Sequence, residues 1–357
     1  MKLKTKYRWR VILSYCIGWT LAFVFLSIVR GVGTMEMGQL KFDFLSSLTI
    51  SFTMGPLIGL ISGYSELLME ERIYKRVTIV KFLFFRLIYM LVFVLLMVLI
   101  AYATYDFYYG TDVSIWDFAV DRGSGAIYFY VITVDLFFSL LRQVNLMLGE
   151  GNLWRLVWGK FYTPKEEDRL FMFLDLRSST TIAERLGHIK YSRLLQDCFN
   201  DISVVVENEA EIYQYVGDEA VLTWNAPKGL LRQNCLEAYF RFRERIRKRE
   251  KYYLEQYDCV PFFKAGLHLG RVTVTEVGKY KKEIAYHGDT INTAARIQAQ
   301  CNAFNEALLI SEPLKIALPE GDFQYESLGK VHLKGKQKDV PVYAVRTGSD
   351  PQDQIAV

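Results

Sequence analysis

Four long apolar runs fill most of the first 150 residues, at 11–29, 44–69, 82–105 and 126–148. A helix crosses a hydrocarbon core of ~30 Å with about 20 residues, so each run is long enough to span a bilayer. Lipid offers the backbone no hydrogen-bond partners, which leaves helices as the form such runs take. Helices buried in the core of a large soluble protein can also be apolar all round, but four such runs with almost no amphipathic period in the first 150 residues argue against that reading. The expectation is a four-helix transmembrane domain over 1–148. No cleavage pattern follows the first run, so it is expected to stay on the chain.

Charge placement orients the spans. Lys2, Lys4, Lys6, Arg8 and Arg10 precede the first run, and Arg72, Lys75, Arg76 and Lys81 lie between the second and third. The loop after the third carries Asp106, Asp112, Asp117 and Asp121 against Arg122. The positive-inside rule then puts both ends in the cytoplasm, which agrees with four spans. The expected location is the cell (inner) membrane, multi-pass, with the remaining half of the chain cytoplasmic. Glu66 and Arg86 lie near span ends, where they are expected to snorkel or pair. Asp135, in VITVDLFFSL, lies deeper and reads as a sensor or a packing contact. Pro56 is expected to kink the second span.

Residues 149–168 read as a juxtamembrane linker. Trp154 and Trp158 are four apart with Arg155 and Lys160 beside them, which suits a short interfacial helix ended by Pro164. No heptad repeat continues through it. The five cysteines have no CxxC or His–Cys spacing, and His188, His268, His287 and His332 lack metal-ligand spacing. The basic stretch 241–251 is diluted by Glu244 and Glu250, with Glu237 just before it. The net charge of the whole chain is only +4, so no nucleic-acid partner is expected.

The second half is built differently. Apolar strands over 170–176, 211–216, 220–224, 262–269 and 272–277 alternate with helices over 191–208, 230–251 and 290–301. Ser178 or Ser179 is a candidate cap for the helical region after the first strand. This is an α+β pattern with a mostly antiparallel sheet. Asp175 stands where the apolar run FMFLDL breaks into a polar turn. Asp218 stands in the Gly217-Asp218 turn of a hairpin. An Asp at a strand end is often only a turn residue. Two of them at one sheet edge are a different matter, because they can hold a pair of hard cations. Asn292 and Arg296, four apart, share a helix face. A metal-binding half and an Asn/Arg half are the parts a phosphoryl-type reaction needs.

From 169 to 346 the chain resembles the class III nucleotidyl cyclases, the adenylyl/guanylyl cyclase family. The motifs FLDLRSST, YVGDEAV, FKAGLHLGRV, YHGDTINTAAR and LKGK occur in the family's order. The resemblance implies a ferredoxin-like α+β catalytic domain over 169–347, with two divalent ions (Mg2+ or Mn2+) per site. Asp175 and Asp218 match the metal-binding aspartates. Lys264 matches a basic position on the nucleotide phosphates, and Lys334 a lysine on the triphosphate. Asn292 matches the asparagine that orients the ribose, and Arg296 the arginine that stabilises the transition state. The two base-reading positions depart from the pattern. Gln214 stands where adenylyl cyclases usually carry Lys and guanylyl cyclases Glu, and Ala285 where Asp, Thr or Cys is usual.

What the resemblance implies is conversion of ATP to 3′,5′-cyclic AMP and pyrophosphate at a homodimer interface. The alternatives are a cyclic GMP producer acting on GTP, or a silent nucleotide-binding membrane receptor. The intact metal, ribose, transition-state and phosphate positions argue against the silent form. The tail 348–357 is expected to be disordered.

Overall fold

The four apolar runs form long helices: α1 (Leu3–Gly31), α2 (Phe44–Arg72), α3 (Ile79–Tyr109) and, after the short α4 (Ile115–Ala119), α5 (Ser124–Leu148). All four are long and apolar enough to cross a membrane. The computed structural model describes residues 3–31, 44–72, 79–110, 113–121, 123–149, 151–280, 282–332 and 339–347. It divides into two compact units, Met1–Met147 and Leu148–Val357.

In the first unit α1 and α2 touch backbone to backbone. A Cβ on Gly59 would stand 2.4 Å from Cys16 Cα, and one on Gly55 2.5 Å from Thr20 Cα. Small residues one turn apart permit this approach where lipid provides no hydrophobic drive between helices. Trp19, Ile58, Phe93 and Val131 fill the interior. A row of polar groups also faces inward from α2 and α5. Ser62 Oγ donates to Asp135 at 2.7 Å, Ser139 Oγ to Glu66 at 3.4 Å, and Arg142 to Glu70 at 3.0 Å. Glu66 meets the expectation of pairing, with Ser139, and not that of snorkelling at a span end. It is buried in the bundle, because α2 runs on to Arg72 and leaves Glu66 more than a turn inside its helix. The side chain of Arg86 lies outside the described residues.

The second unit opens with α6 (Asn152–Val157). This helix stops well before Pro164, because Gly159 at φ 63° supplies a left-handed terminus just beyond it. The strands are β1 (Lys165–Leu176), β2 (Glu211–Val216), β3 (Glu219–Asn225), β4 (Phe263–Val277), β5 (Glu283–His287), β6 (Leu308–Ser311), β7 (Phe323–Val331) and β8 (Val340–Thr347). They form one sheet in the order β2-β3-β1-β4-β6-β8-β7, with β5 paired to β4, and only β4 and β6 run parallel. Between β1 and β2 lie α7 (Ser179–Asp201) and a 3₁₀ segment over Ile202–Asn208. α8 (Ala226–Leu230), α9 (Asn234–Lys248) and α10 (Glu250–Tyr257) follow β3, and α11 (Asp289–Ala299) and α12 (Cys301–Phe304) follow β5. α13 (Glu312–Ala317) follows β6.

Several boundaries differ from the sequence reading, each for a local reason. β1 begins at Lys165, because β4 reaches far enough for Arg271–Val274 to pair with its charged first residues. β4 is one strand rather than two. Gly270 and Arg271 look like a turn, but a Cβ on Gly270 would meet Thr290 Oγ1 at 2.6 Å. That glycine makes room for the start of α11 and does not end the strand. The helix read over 191–208 starts earlier, bends at Gly187 (φ 72°) and finishes as the 3₁₀ segment. Ser178 precedes it in a left-handed conformation without a side-chain cap. The helix read over 230–251 is split at Arg249 into α9 and α10.

Helices α7, α9 and α10 cover one face of the sheet through Leu194, Tyr239, Phe242 and Tyr253, packed against Leu170, Met172 and Trp224. The opposite face buries Phe161, Phe171, Val272, Tyr286 and Ala294. Here α11 lies so close to β4 that a Cβ on Gly266 would stand 2.2 Å from the backbone nitrogen of Gln298. Gly266→Ala is therefore expected to push α11 off the strand at a cost of about 1–3 kcal/mol. Thermal unfolding should report this as a lowered Tm, and an unchanged Tm would show that the contact yields freely.

Candidate active site

The sheet register assembles the site. Asp175, one residue from the end of β1, lies opposite Glu219 of β3 on one side and Lys264 of β4 on the other. Asp218 precedes Glu219 in the tight β2–β3 turn, where Gly217 takes φ 61°. Three carboxylates and one ammonium thus gather at one end of three adjacent strands.

Their electrostatics show the strain of that arrangement. Burial and the neighbouring Asp218 carboxylate push Asp175 above the usual carboxylate range, while the hydrogen bond from Gln298 and the charge of Lys264 pull it back. Burial, Asp175 and Asp218 push Glu219 up to about 7. Lys264 is buried, and desolvation together with Arg177 lowers its ammonium. Its Nζ donates to Asn302 Oδ1 at the start of α12. Among the described residues no three His, Cys, Asp or Glu side chains converge on one point. The donors present still fit hard divalent cations. They are oxygen ligands whose mutual repulsion a cation would relieve, with phosphate and water available to complete the shell.

The Asn/Arg half lies on α11, whose N-terminus follows Gly288. Asn292 is exposed and Arg296 half-buried, one turn apart as the spacing predicts. Arg296 Nη1 is buried without a hydrogen-bond partner and stands 3.7 Å from Asp289. On the same helix Gln298 Nε2 donates to Asp175 Oδ2 at 3.2 Å. Gln214 is exposed on β2, beside an irregularity in its pairing with β3, and Ala285 is half-buried on β5. Their chain neighbours Tyr213 and Tyr286 meet edge to face at 5.0 Å across the sheet face, although β3, β1 and β4 lie between the two strands. Lys334 lies outside the described residues.

Three residues of this site were not read from the sequence: Glu219, Gln298 and Asn302. Gln298 carried a usable signal, since it is a polar amide on the apolar stripe formed by Ala294, Ile297 and Cys301. Glu219 and Asn302 become visible only through strand register and a through-space contact.

Residues 161–347 match the family model described as the adenylate and guanylate cyclase catalytic domain. The chain belongs to this family. Adenylate cyclase 2 of Rhizobium meliloti (strain 1021) is 33% identical over 209 residues, 58% of this chain and 58% of that relative. Atrial natriuretic peptide receptor 2 of Rattus norvegicus is 26% identical over 179 residues, 46% of this chain and 16% of that relative. The cyclase region therefore spans well under two thirds of either relative. A solved structure of a bacterial light-regulated adenylyl cyclase shares the fold, with a TM-score of 0.53 at 16% identity over 62% of this chain and 65% of that one.

The raised carboxyl of Glu219 makes the metal-free cyclase domain sensitive to pH. Between the ordinary carboxylate range and about 7 the folded chain holds a proton that the unfolded chain has released. Stability therefore falls as pH rises through that window. With a chelator present, the Tm of the full chain is expected to decline from about pH 4.5 to about pH 7, and Glu219→Gln to flatten the decline. Identical profiles for the two proteins would remove Glu219 as the source.

Proposed function

We infer that this protein is a membrane-bound adenylate cyclase that converts ATP to 3′,5′-cyclic AMP and pyrophosphate. The observation that carries the reading is the carboxylate cluster of Asp175 and Asp218 in a domain that also holds Asn292 and Arg296 one turn apart. The choice of ATP draws on the Rhizobium relative, whose name is adenylate cyclase. The four apolar helices and the flanking basic residues support spans in the cell membrane with both ends cytoplasmic.

Asp175 and Asp218 would hold two divalent cations, magnesium or manganese. Bound there, the cations would lower the pKa of the ribose 3′-hydroxyl and neutralise the departing pyrophosphate. The work of the chain is placement and charge. Gln298 holds the Asp175 carboxylate in one orientation. Asn292 would orient the ribose so that its hydroxyl lies in line with the α-phosphate. Arg296, with an unused buried N–H group, would donate to the α-phosphate oxygens as charge builds on them. Lys264 and Lys334 would face the outer phosphates, and for Lys264 this means exchanging Asn302 for the nucleotide.

A helical argument supports a site shared between two chains. Gln298 faces Asp175, and Arg296 lies two residues earlier on α11. At 3.6 residues per turn two positions span ~200°, so Arg296 points away from the Asp175 of its own chain. A head-to-tail homodimer would supply Arg296 of one copy to Asp175 of the other and build two equivalent sites. Mixing Asp175→Asn with Arg296→Ala tests this. One site of a mixed dimer inherits both lesions and the other neither, so about a quarter of wild-type activity is expected to return after random pairing. No recovery from two folded variants that co-purify would require a site completed within one chain.

Gln214 supports the cyclic GMP reading as well, because its amide both donates and accepts. Incubating the full chain with ATP or GTP and each metal identifies the cyclic product directly. Cyclic AMP is expected to dominate, and no cyclic product with either nucleotide would leave only the silent receptor. Gln214→Glu is expected to move the ATP/GTP preference toward GTP by about 1–3 kcal/mol, since a carboxylate accepts from the guanine N1 and N2 donors and repels adenine N1. An unchanged ratio would put base recognition elsewhere.

A further inference from the structure

Part of the juxtamembrane segment is anchored firmly to the catalytic unit. Phe161 is buried beneath the sheet, Leu156 packs against the same cluster, and Arg155 reaches Glu211 at 3.4 Å. The remaining aromatic rings of the segment are left in the open. Trp154 is 64% exposed, Trp158 83% and Tyr162 83%.

The β4–β5 hairpin comes to the same place from more than a hundred residues away. The backbone N–H of Glu276 donates to the Phe161 carbonyl at 2.9 Å. Lys282 bonds Glu276 at 2.6 Å and is near enough to Tyr162 for the two to interact electrostatically. At the hairpin tip Tyr280 is 96% exposed, with the ammonium of Lys279 5.6 Å from its ring. The hairpin's Lys279, Tyr280 and Lys282 therefore lie beside Tyr162, and the segment that leads to Tyr162 also exposes Trp154 and Trp158.

A soluble domain rarely leaves so many large rings in water, and their composition is that of a lipid–water boundary. Trp and Tyr settle there with the ring in the apolar zone and the polar edge outward, while Lys snorkels to the headgroups. Chain continuity selects the occupant. α5, the last candidate span, ends at Leu148, and α6 begins at Asn152. If α5 spans the bilayer, the three residues between it and α6 hold the start of α6 close to the membrane surface.

We propose that the catalytic unit docks on the lipid–water boundary of the membrane crossed by its own spans, through the Trp154–Tyr162 segment together with the β4–β5 hairpin tip. The hairpin is the informative member, because proximity along the chain does not oblige it to touch lipid. The inference rests on the reading that α1, α2, α3 and α5 cross a bilayer, and the test separates the two.

The full chain is placed in lipid nanodiscs after replacing the half-exposed Cys16 and Cys259 with serine, the other cysteines being buried. A nitroxide is attached in turn through Tyr280→Cys, Ile316→Cys and Leu95→Cys. Ile316 is exposed outside the patch, and Leu95 is exposed on α3. Each label's collisions with oxygen, which partitions into lipid, are compared with those of a water-soluble nickel chelate. Leu95 reports insertion of the spans, and its failure would count against the membrane reading itself. With Leu95 in lipid, the oxygen-to-nickel ratio at Tyr280 is expected to exceed that at Ile316 several-fold. Equal ratios at the two positions would overturn the docking surface. Protection of Tyr280 from both agents would also overturn it, since protein rather than lipid would then cover the tip.

Discussion

Repulsion among carboxylates held at the end of one sheet is the constraint around which the catalytic unit is arranged. Asp175 and Glu219 are paired on adjacent strands and Asp218 lies in the turn just before Glu219, so the backbone holds the three close together. Two of the three are pushed toward their neutral forms. The only ammonium in register with them, Lys264, is itself weakened by burial and partly occupied by Asn302. A domain selected for stability alone would have relieved this with an apolar residue or a firmly paired arginine, as at the other end of β1. There the buried Arg169 meets Glu167 at 3.2 Å and Glu211 at 3.1 Å and lies over the Tyr286 ring. One end of the strand is neutralised from within, and the other is left short of positive charge. On the proposed reading, bound cations complete the electrostatics that the fold leaves unbalanced here.

The parts of this arrangement that were legible in the sequence are those with a local signature. Long apolar runs gave helices long and apolar enough to cross a membrane, because run length and composition are local properties. Asp175 was visible because an apolar run ends beside it, Asp218 because Gly-Asp between two β-rich runs makes a hairpin, and the Asn292–Arg296 pair because four residues make a turn. What escaped depended on pairing between distant segments. Gly270 looked like a turn and proved to be a space for Thr290. The residues 165–168 looked like a polar boundary and proved to be strand, because β4 reaches far enough to pair with them. Glu66 looked peripheral when judged by its position in an apolar run, yet the facing helix supplies Ser139 and keeps it inside. In each case local composition was read correctly, and the deciding neighbour lay outside the local window, from 20 residues away (Gly270 to Thr290) to more than 100 (165–168 to β4).

α11 carries this logic furthest, because its two faces serve different places. One face is pressed into the sheet: Thr293, Ala294 and Ile297 are buried, Gly266 admits the backbone, and Gln298 reaches Asp175. The other presents Asn292 and leaves Arg296 with an N–H group that no protein acceptor satisfies. Burying an arginine N–H without a partner is costly, and an acceptor from the same sheet could have satisfied it. Rotating the helix to bring Arg296 toward Asp175 would withdraw Ile297 and Gln298 from the core, so one chain cannot satisfy both faces at once. On the reading proposed above, the acceptor is an anion from outside the domain, carried on a nucleotide bound against another copy's carboxylates. On the proposed reading, the tight packing that makes the isolated domain stable is also what keeps it from completing a site alone.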